Sequence, residues 1–236
     1  MKYFIDTEFI EGFHKPFLGK RRHFIDLISI GIVCEDGREY YAISNEFNPK
    51  NADQWVKDNV IAKLPEKKVS YYDSPREKSD SLLWKSNAII AKDIVTFINN
   101  ESVKVDKGWK SIALTNESKK NIRRRYLEPE FYAYYADYDW VLFCSIFGRM
   151  IDLPKGFPMY CRDLKQALDE KILTLMNSGY GKNWLDFKTQ SRYNATFDQC
   201  LDRIKNLSGY PIQTNEHNAL DDARWNKQLY EFLQTI

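Results

Sequence analysis

Residues 24–44, FIDLISIGIVCEDGREYYAIS, constrain the fold more than any other stretch of the chain. Two runs rich in Ile, Val and Tyr flank Asp36-Gly37. An Asp-Gly pair between such runs predicts a β-hairpin with a tight turn. The preceding residues 2–9 read as a further, mainly apolar strand that carries Asp6 and Glu8. The chain therefore opens with three strands, the last two antiparallel, and later elements must cover the sheet they begin.

Those later elements read mostly as helices. Residues 52–64 predict a short helix ended by Pro65, and 82–98 carry apolar residues at positions 84, 88, 91, 94, 95 and 98, which is helical spacing. FYAYYA (131–136) predicts a strand, followed by a helix over 140–150 that Asp137 or Asp139 begins. PMYCRD (158–163) predicts a short strand leading into a helix, and the segment from His217 to about Leu233 predicts an amphipathic helix. Strands first and strand–helix alternation afterwards define an α/β chain with a mixed sheet covered by helices. No Pro/Gly-rich linker divides two cores, so residues 1–236 read as a single domain. Segments near 11–24, 104–128 and 174–210 read as insertions: a basic, aromatic loop from about Ile10 to His23, a polar stretch that includes KKNIRRR, and a polar irregular region.

Composition excludes some classes. The net charge of +2 at pH 7 does not by itself mark a nucleic-acid binder. The four cysteines have no C-x-x-C spacing, which argues against a zinc knuckle and fits a reducing compartment. Acids at positions 6 and 8 interrupt any signal-peptide core. No apolar run approaches the ~18 residues of a membrane span. The expectation is a cytoplasmic protein with no membrane association.

The chemistry lies in the acids. Asp6 and Glu8 are two apart on a strand and share a face. Alone, such a pair reads as solvated acids on an edge strand. Asp137 and Asp139 lie where a strand gives way to a helix, where Asp is also a common cap. In EHNALDDAR, the apolar side of the helix is set by Ala219, Ala223, Leu229, Tyr230 and Leu233. Asp222 falls roughly 50° from its centre and Asp221 about 150° away. Asp222 is thus aimed inward, where a carboxylate needs a cation. Taken together these make four inward carboxylates and His217, and the carboxylates match the oxygen preference of hard divalent cations. Such ions can clamp both oxygens of a phosphoryl displacement, with a histidine accepting the proton of the attacking water.

FIDTEFIE (4–11), ADYDWVLF (136–143) and HNALDDAR (217–224) resemble, in order, the three motifs of the DEDDh 3′-5′ exonucleases, a superfamily with the ribonuclease H-like fold. The resemblance is greatest to the mycobacterial polyadenylate-specific exoribonuclease AS family, through the first fifty residues and the second and third motifs. It implies that Asp6, Glu8, Asp139 and Asp222 hold two Mg²⁺ (or Mn²⁺) ions and that His217 is the general base. Asp139 is preferred to Asp137 because the family sets its aspartate directly before the apolar helix. Phe9 stands where family members contact the 3′-terminal nucleotide, although core packing explains it equally well. A homodimer is a further expectation from the resemblance.

Basic residues interleaved with rings follow the first motif: Lys15, Lys20, Arg21 and Arg22 among Phe13, Phe17 and Phe24. Cations tracking phosphates beside rings that stack on bases suit single-stranded nucleic acid, so Lys20, Arg21 and Arg22 are candidate substrate contacts. A solvated surface loop is the competing explanation. The combined reading is an exoribonuclease that acts on the 3′ end of single-stranded RNA, with adenylate-rich tails as a candidate substrate, and releases nucleoside 5′-monophosphates. Two alternatives remain open: the same chemistry on DNA, and a nucleic-acid-binding module with a silent site.

Overall fold

The computed structural model describes residues 1–14, 19–67, 81–99, 128–177, 184–185, 192–193 and 196–236. Its central sheet has six strands in the order β4-β3-β2-β1-β5-β6. β1 (Lys2–His14), β2 (Arg22–Cys34) and β3 (Glu39–Ser44) form an antiparallel meander. β4 (Trp84–Lys85), β5 (Glu130–Ala133) and β6 (Arg162–Asp163) each pair in parallel with their neighbour. Among the described residues there are six α-helices: α1 (Gln54–Asn59), α2 (Asn87–Asn99), α3 (Ala136–Ser145), α4 (Leu164–Asn177), α5 (Phe197–Lys205) and α6 (Ala219–Leu233). This is the expected mixed α/β arrangement of the ribonuclease H-like fold. A separate pair, β7 (Trp184–Leu185) and β8 (Arg192–Tyr193), is antiparallel. No helix among the described residues is long and apolar enough to cross a membrane.

Strand parity sorts the core. Tyr3 and Ile5 of β1 face one side, where they meet Ile90, Ile94 and Ile98 of α2 and Trp140 and Phe143 of α3. Phe4 faces the other side, against Leu164, Leu168 and Ile172 of α4, Cys200 and Ile204 of α5, and Leu229 and Leu233 of α6. Ile10 shares the side of Phe4 but enters a third cluster with Ile28, Ala52 and Val60. On that side of β1, Asp6 and Glu8 lie between two apolar clusters, at positions that the alternation would otherwise give to packing residues.

Two features fit the last helix to the sheet. Gly31 pairs with Asp6 across β1–β2. A Cβ at position 31 would come within 2.2 Å of the Ala219 carbonyl oxygen, so only glycine admits the first turn of α6. The buried Asn226 then donates from Nδ2 to the Ile5 carbonyl at 2.9 Å.

Several sequence expectations change. The stretch from Ile10 to His23 is not all loop: β1 runs to His14 and β2 starts at Arg22, so both of its ends are paired strands of a ribbon, while residues 15–18, with Lys15 and Phe17, lie outside the described residues. The register shifts between Glu8 and Phe9, which pair with Ser29 and Leu27. Such a bulge bends the ribbon and alters its twist. The predicted helix over 82–98 starts later, after Trp84–Lys85 has joined the sheet edge. The second-motif helix starts at Ala136, behind Tyr135 in a left-handed conformation, so neither Asp137 nor Asp139 is its cap. The 158–163 strand shrinks to Arg162–Asp163. Part of 174–210 is helical, namely the end of α4 and all of α5, whose start carries a Thr196–Gln199 capping box. Residues 104–127, with their basic cluster, lie outside the described residues.

Candidate active site

Three elements deliver the acids. β1 supplies Asp6 and Glu8 from one face, while α3 and α6 each supply an acid from the fourth residue of the helix, Asp139 and Asp222. Helix N-termini favour anions nearby. α6 is capped by Asn218, whose side chain accepts from the Leu220 and Asp221 amides. One carboxylate oxygen each from Asp6, Glu8 and Asp222 lie within 4.8 Å of one another. Asp139 stands outside that close set but lines the same cavity of about 320 Å³, together with Thr7, Phe9, Gln213 and His217.

The acids are held by specific donors. Asp139 Oδ1 accepts from the Thr7 amide at 2.8 Å and from Thr7 Oγ1 at 2.6 Å. Asp222 Oδ1 accepts from Gln213 Nε2 at 2.6 Å, and its Oδ2 from the His217 amide at 2.9 Å. His217 has a positive φ of 67°, and its ring lies 4.7 Å from that of Trp55, nearly perpendicular to it. Sequence reasoning misses Thr7, Gln213, Trp55 and Asn226. Thr7 sits within the first motif, but nothing local marks the other three: Trp55 and Asn226 have partners distant in the chain, and Gln213 reaches Asp222 across the irregular turn before α6.

Asp221 has other partners. It bonds Arg224 Nη1 at 2.5 Å and Asn215 Nδ2 at 2.5 Å. Arg224 also bridges to Glu39 on β3. Asp137 is exposed, whereas Asp139 is buried. Asp139 and Asp222 thus line the cavity, whereas Asp137 and Asp221 do not.

Electrostatics marks the cavity as a place where ionised carboxylates are costly. Burial raises the Asp6 pKa well above the carboxylate range, and Asp139, Glu8 and Asp222 raise it further. Burial, then Asp222 and Asp139, push Glu8 up to about 8, with Lys63 opposing. Asp139 is pushed up to about 7, mainly by burial, against the two Thr7 hydrogen bonds. Asp222 is raised by burial, although Gln213 and His217 oppose the shift. Four carboxylates this close and this buried repel one another unless protonated or neutralised by cations. An all-oxygen donor set of this kind fits hard divalent ions, so the residues present suit such a group.

The other sequence candidates are placed as follows. Phe9 lines the cavity, with its ring 5.4 Å from that of Tyr138, and packs against the core as well. Lys20, Arg21 and Arg22 are exposed at the far end of the β1–β2 ribbon. Arg22 pairs with His14, six residues beyond Glu8. At about 3.3 Å per residue this is roughly 20 Å along the strand. Arg21 stacks over Phe13, 4.7 Å from its ring centre. These cations belong to the same ribbon as the acids, but they do not border the acid cavity.

A ribonuclease H-like sheet that gathers acids from its first strand and two helices defines a class, the hydrolases that act on nucleic acids. The chain belongs to the Rv2179c-like 3′-5′ exoribonuclease domain family, which it matches over residues 1–234. It is 36% identical over 171 residues to the 3′-5′ exoribonuclease Rv2179c of Mycobacterium tuberculosis, covering 72% of this chain and 76% of that protein. The 3′-5′ exoribonuclease MT2234.1, from another strain of that organism, shows the same 36% identity over the same shares of both chains.

Proposed function

We propose that this protein is a two-metal 3′-5′ exoribonuclease that shortens single-stranded RNA and releases nucleoside 5′-monophosphates. Asp6, Glu8, Asp139 and Asp222 would hold the divalent cations, Mg²⁺ or Mn²⁺. When bound, these ions supply charge stabilisation to the phosphate and lower the pKa of water. The remaining steps fall to side chains of the chain. His217 accepts the proton of the attacking water as that water adds to the terminal phosphodiester. The bond to the 3′ oxygen of the preceding ribose then breaks, and that oxygen takes up a proton from solvent. Thr7 and Gln213 fix the orientation of Asp139 and Asp222, so little reorganisation is needed on reaction. Phe9, beside Tyr138, offers a ring for the terminal base. A homodimer is proposed from the family resemblance alone, and a cytoplasmic location from the sparse cysteines, which have no C-x-x-C spacing.

The observation that carries the reading is the convergence of Asp6, Glu8 and Asp222 within 4.8 Å. The test uses 5′-labelled single-stranded oligo(A) RNA and the matching DNA, each with Mg²⁺, Mn²⁺ or EDTA. A ladder that shortens from the 3′ end, needs metal and is faster on RNA is the expected result. Faster cleavage of DNA overturns the substrate assignment. Binding without cleavage under every metal overturns the enzyme reading.

A further inference from the structure

The segment around α1, residues 45–64, touches the site from outside. It is anchored on both sides of that helix: Ala52 and Val60 are buried in the cluster with Ile10 and Ile28. Between them α1 buries none of its six residues. Asp53 caps it by accepting from the Val56 amide at 2.8 Å. Trp55 projects from it with 53% of its surface exposed, an unusual place for an indole whose purpose is core packing. Its ring meets that of His217 at 4.7 Å. Lys63, three residues past Val60, donates to the Glu216 carbonyl at 2.9 Å. The strap therefore grips two consecutive residues of the loop that leads into α6.

His217 needs such support. At φ 67° it occupies the left-handed region, which is strained for a residue with a Cβ. The bond from its amide to Asp222 and the Lys63 contact on the preceding carbonyl restrain its backbone. Neither sets its side-chain torsions. The Trp55 ring is in position to do so.

We propose that Trp55 is a positioning residue: its contact fixes the His217 imidazole at the rim of the acid cavity, and Lys63 holds the backbone beneath it. The proposal rests on the reading of His217 as general base, but one of its tests does not depend on turnover.

That test is NMR of histidine-labelled protein. There are three histidines to assign, and His217→Gln identifies the relevant signal. In the intact protein the His217 ring protons carry a ring-current shift, and Trp55→Leu removes it while Trp55→Phe keeps part of it. An unchanged His217 signal in Trp55→Leu overturns the proposal, whether or not the protein cleaves RNA. Kinetics supplies the second readout. Trp55→Leu lowers kcat about 10–100-fold, the scale of a modest misplacement of a reacting group, and changes KM less than about 2-fold. Trp55→Phe restores most of kcat, and Lys63→Met produces a loss of the same kind. A rise in KM at unchanged kcat makes Trp55 a platform for a base instead, and overturns the positioning role. Unchanged thermal melting of Trp55→Leu, expected for a half-exposed residue, separates these effects from misfolding.

Discussion

The two halves of β1 belong to one strand and do different work. From Lys2 to Glu8 it lies within the sheet, pairs with β2 from Tyr3 onward and with β5 over Lys2–Phe4, and is covered on both faces. From Phe9 to His14, beyond the register shift, it is paired with β2 in a ribbon whose residues are more exposed. The inner half carries the acids, where burial raises their pKa values and makes them receptive to cations. The outer half carries the exposed Phe13 ring, and the start of its partner strand brings Arg22, with Lys20 and Arg21 just before it; there a charge is screened and a contact is worth little individually. Burial, more than charge count, decides which half can do chemistry.

The contrast is broken most severely at the acids. Asp6→Ala and Asp222→Ala should reduce RNA hydrolysis to background in a steady-state assay, while melting in EDTA shows the fold kept or stabilised, since a repelling carboxylate is gone. Asp139→Ala should be equally inactive and Asp137→Ala active; the reverse pattern would reassign the second motif. His217→Ala comes next, with kcat lower by about 10²–10⁴-fold, the usual loss for a general base, and Mn²⁺ affinity nearly unchanged by calorimetry.

Two glycines sharpen the comparison through stability. At Gly31 an added methyl meets the backbone of α6, which cannot yield without moving the helix. Gly31→Ala should cost about 1–3 kcal/mol or more in chemical denaturation and displace Asp222. At Gly12, in the outer half, the added methyl meets only the Phe24 ring at 2.8 Å. That ring can turn, so Gly12→Ala should stay within about 1 kcal/mol of the parent.

The raised pKa values predict a pH dependence with a definite sign. Glu8, pushed up to about 8, and Asp139, pushed up to about 7, hold protons in the folded state that the unfolded chain has already released. Their contribution is therefore fully present below the ordinary carboxylate range and is lost as pH rises through the folded values. Melting temperature in EDTA should fall between about pH 5 and pH 8, and Mn²⁺ should reverse the fall. A flat profile would show that the acids are not buried together. The smallest effects belong to the ribbon tip. Arg21→Ala and Arg22→Ala should leave kcat unchanged. Where either arginine holds an RNA phosphate, its removal should flatten the salt dependence of binding by about 0.7 in the logarithmic slope.

What is legible in the sequence follows the same division. Asp36-Gly37 announces the β2–β3 hairpin because a tight turn is local chemistry. The shared face of Asp6 and Glu8, and the inward direction of Asp222 but not Asp221, follow from strand and helix periodicity. The ribbon beyond Ile10 reads as a loop because the residues there, the exposed Glu11 and Phe13 around Gly12, show no apolar alternation to read. The supports of the site are also out of reach. Thr7 on Asp139, Gln213 on Asp222 and Trp55 on His217 are contacts fixed by tertiary placement, as is the close approach that demands glycine at position 31.

The most direct test of the central claim is Mn²⁺ titration of the wild-type protein and of Asp6→Asn, followed by calorimetry, with oligo(A) hydrolysis measured on the same samples. The expected result is two ions bound by the wild type, hydrolysis that tracks their occupancy, and loss of both in the variant. Hydrolysis that persists in Asp6→Asn, or Mn²⁺ binding that the substitution leaves untouched, would contradict it.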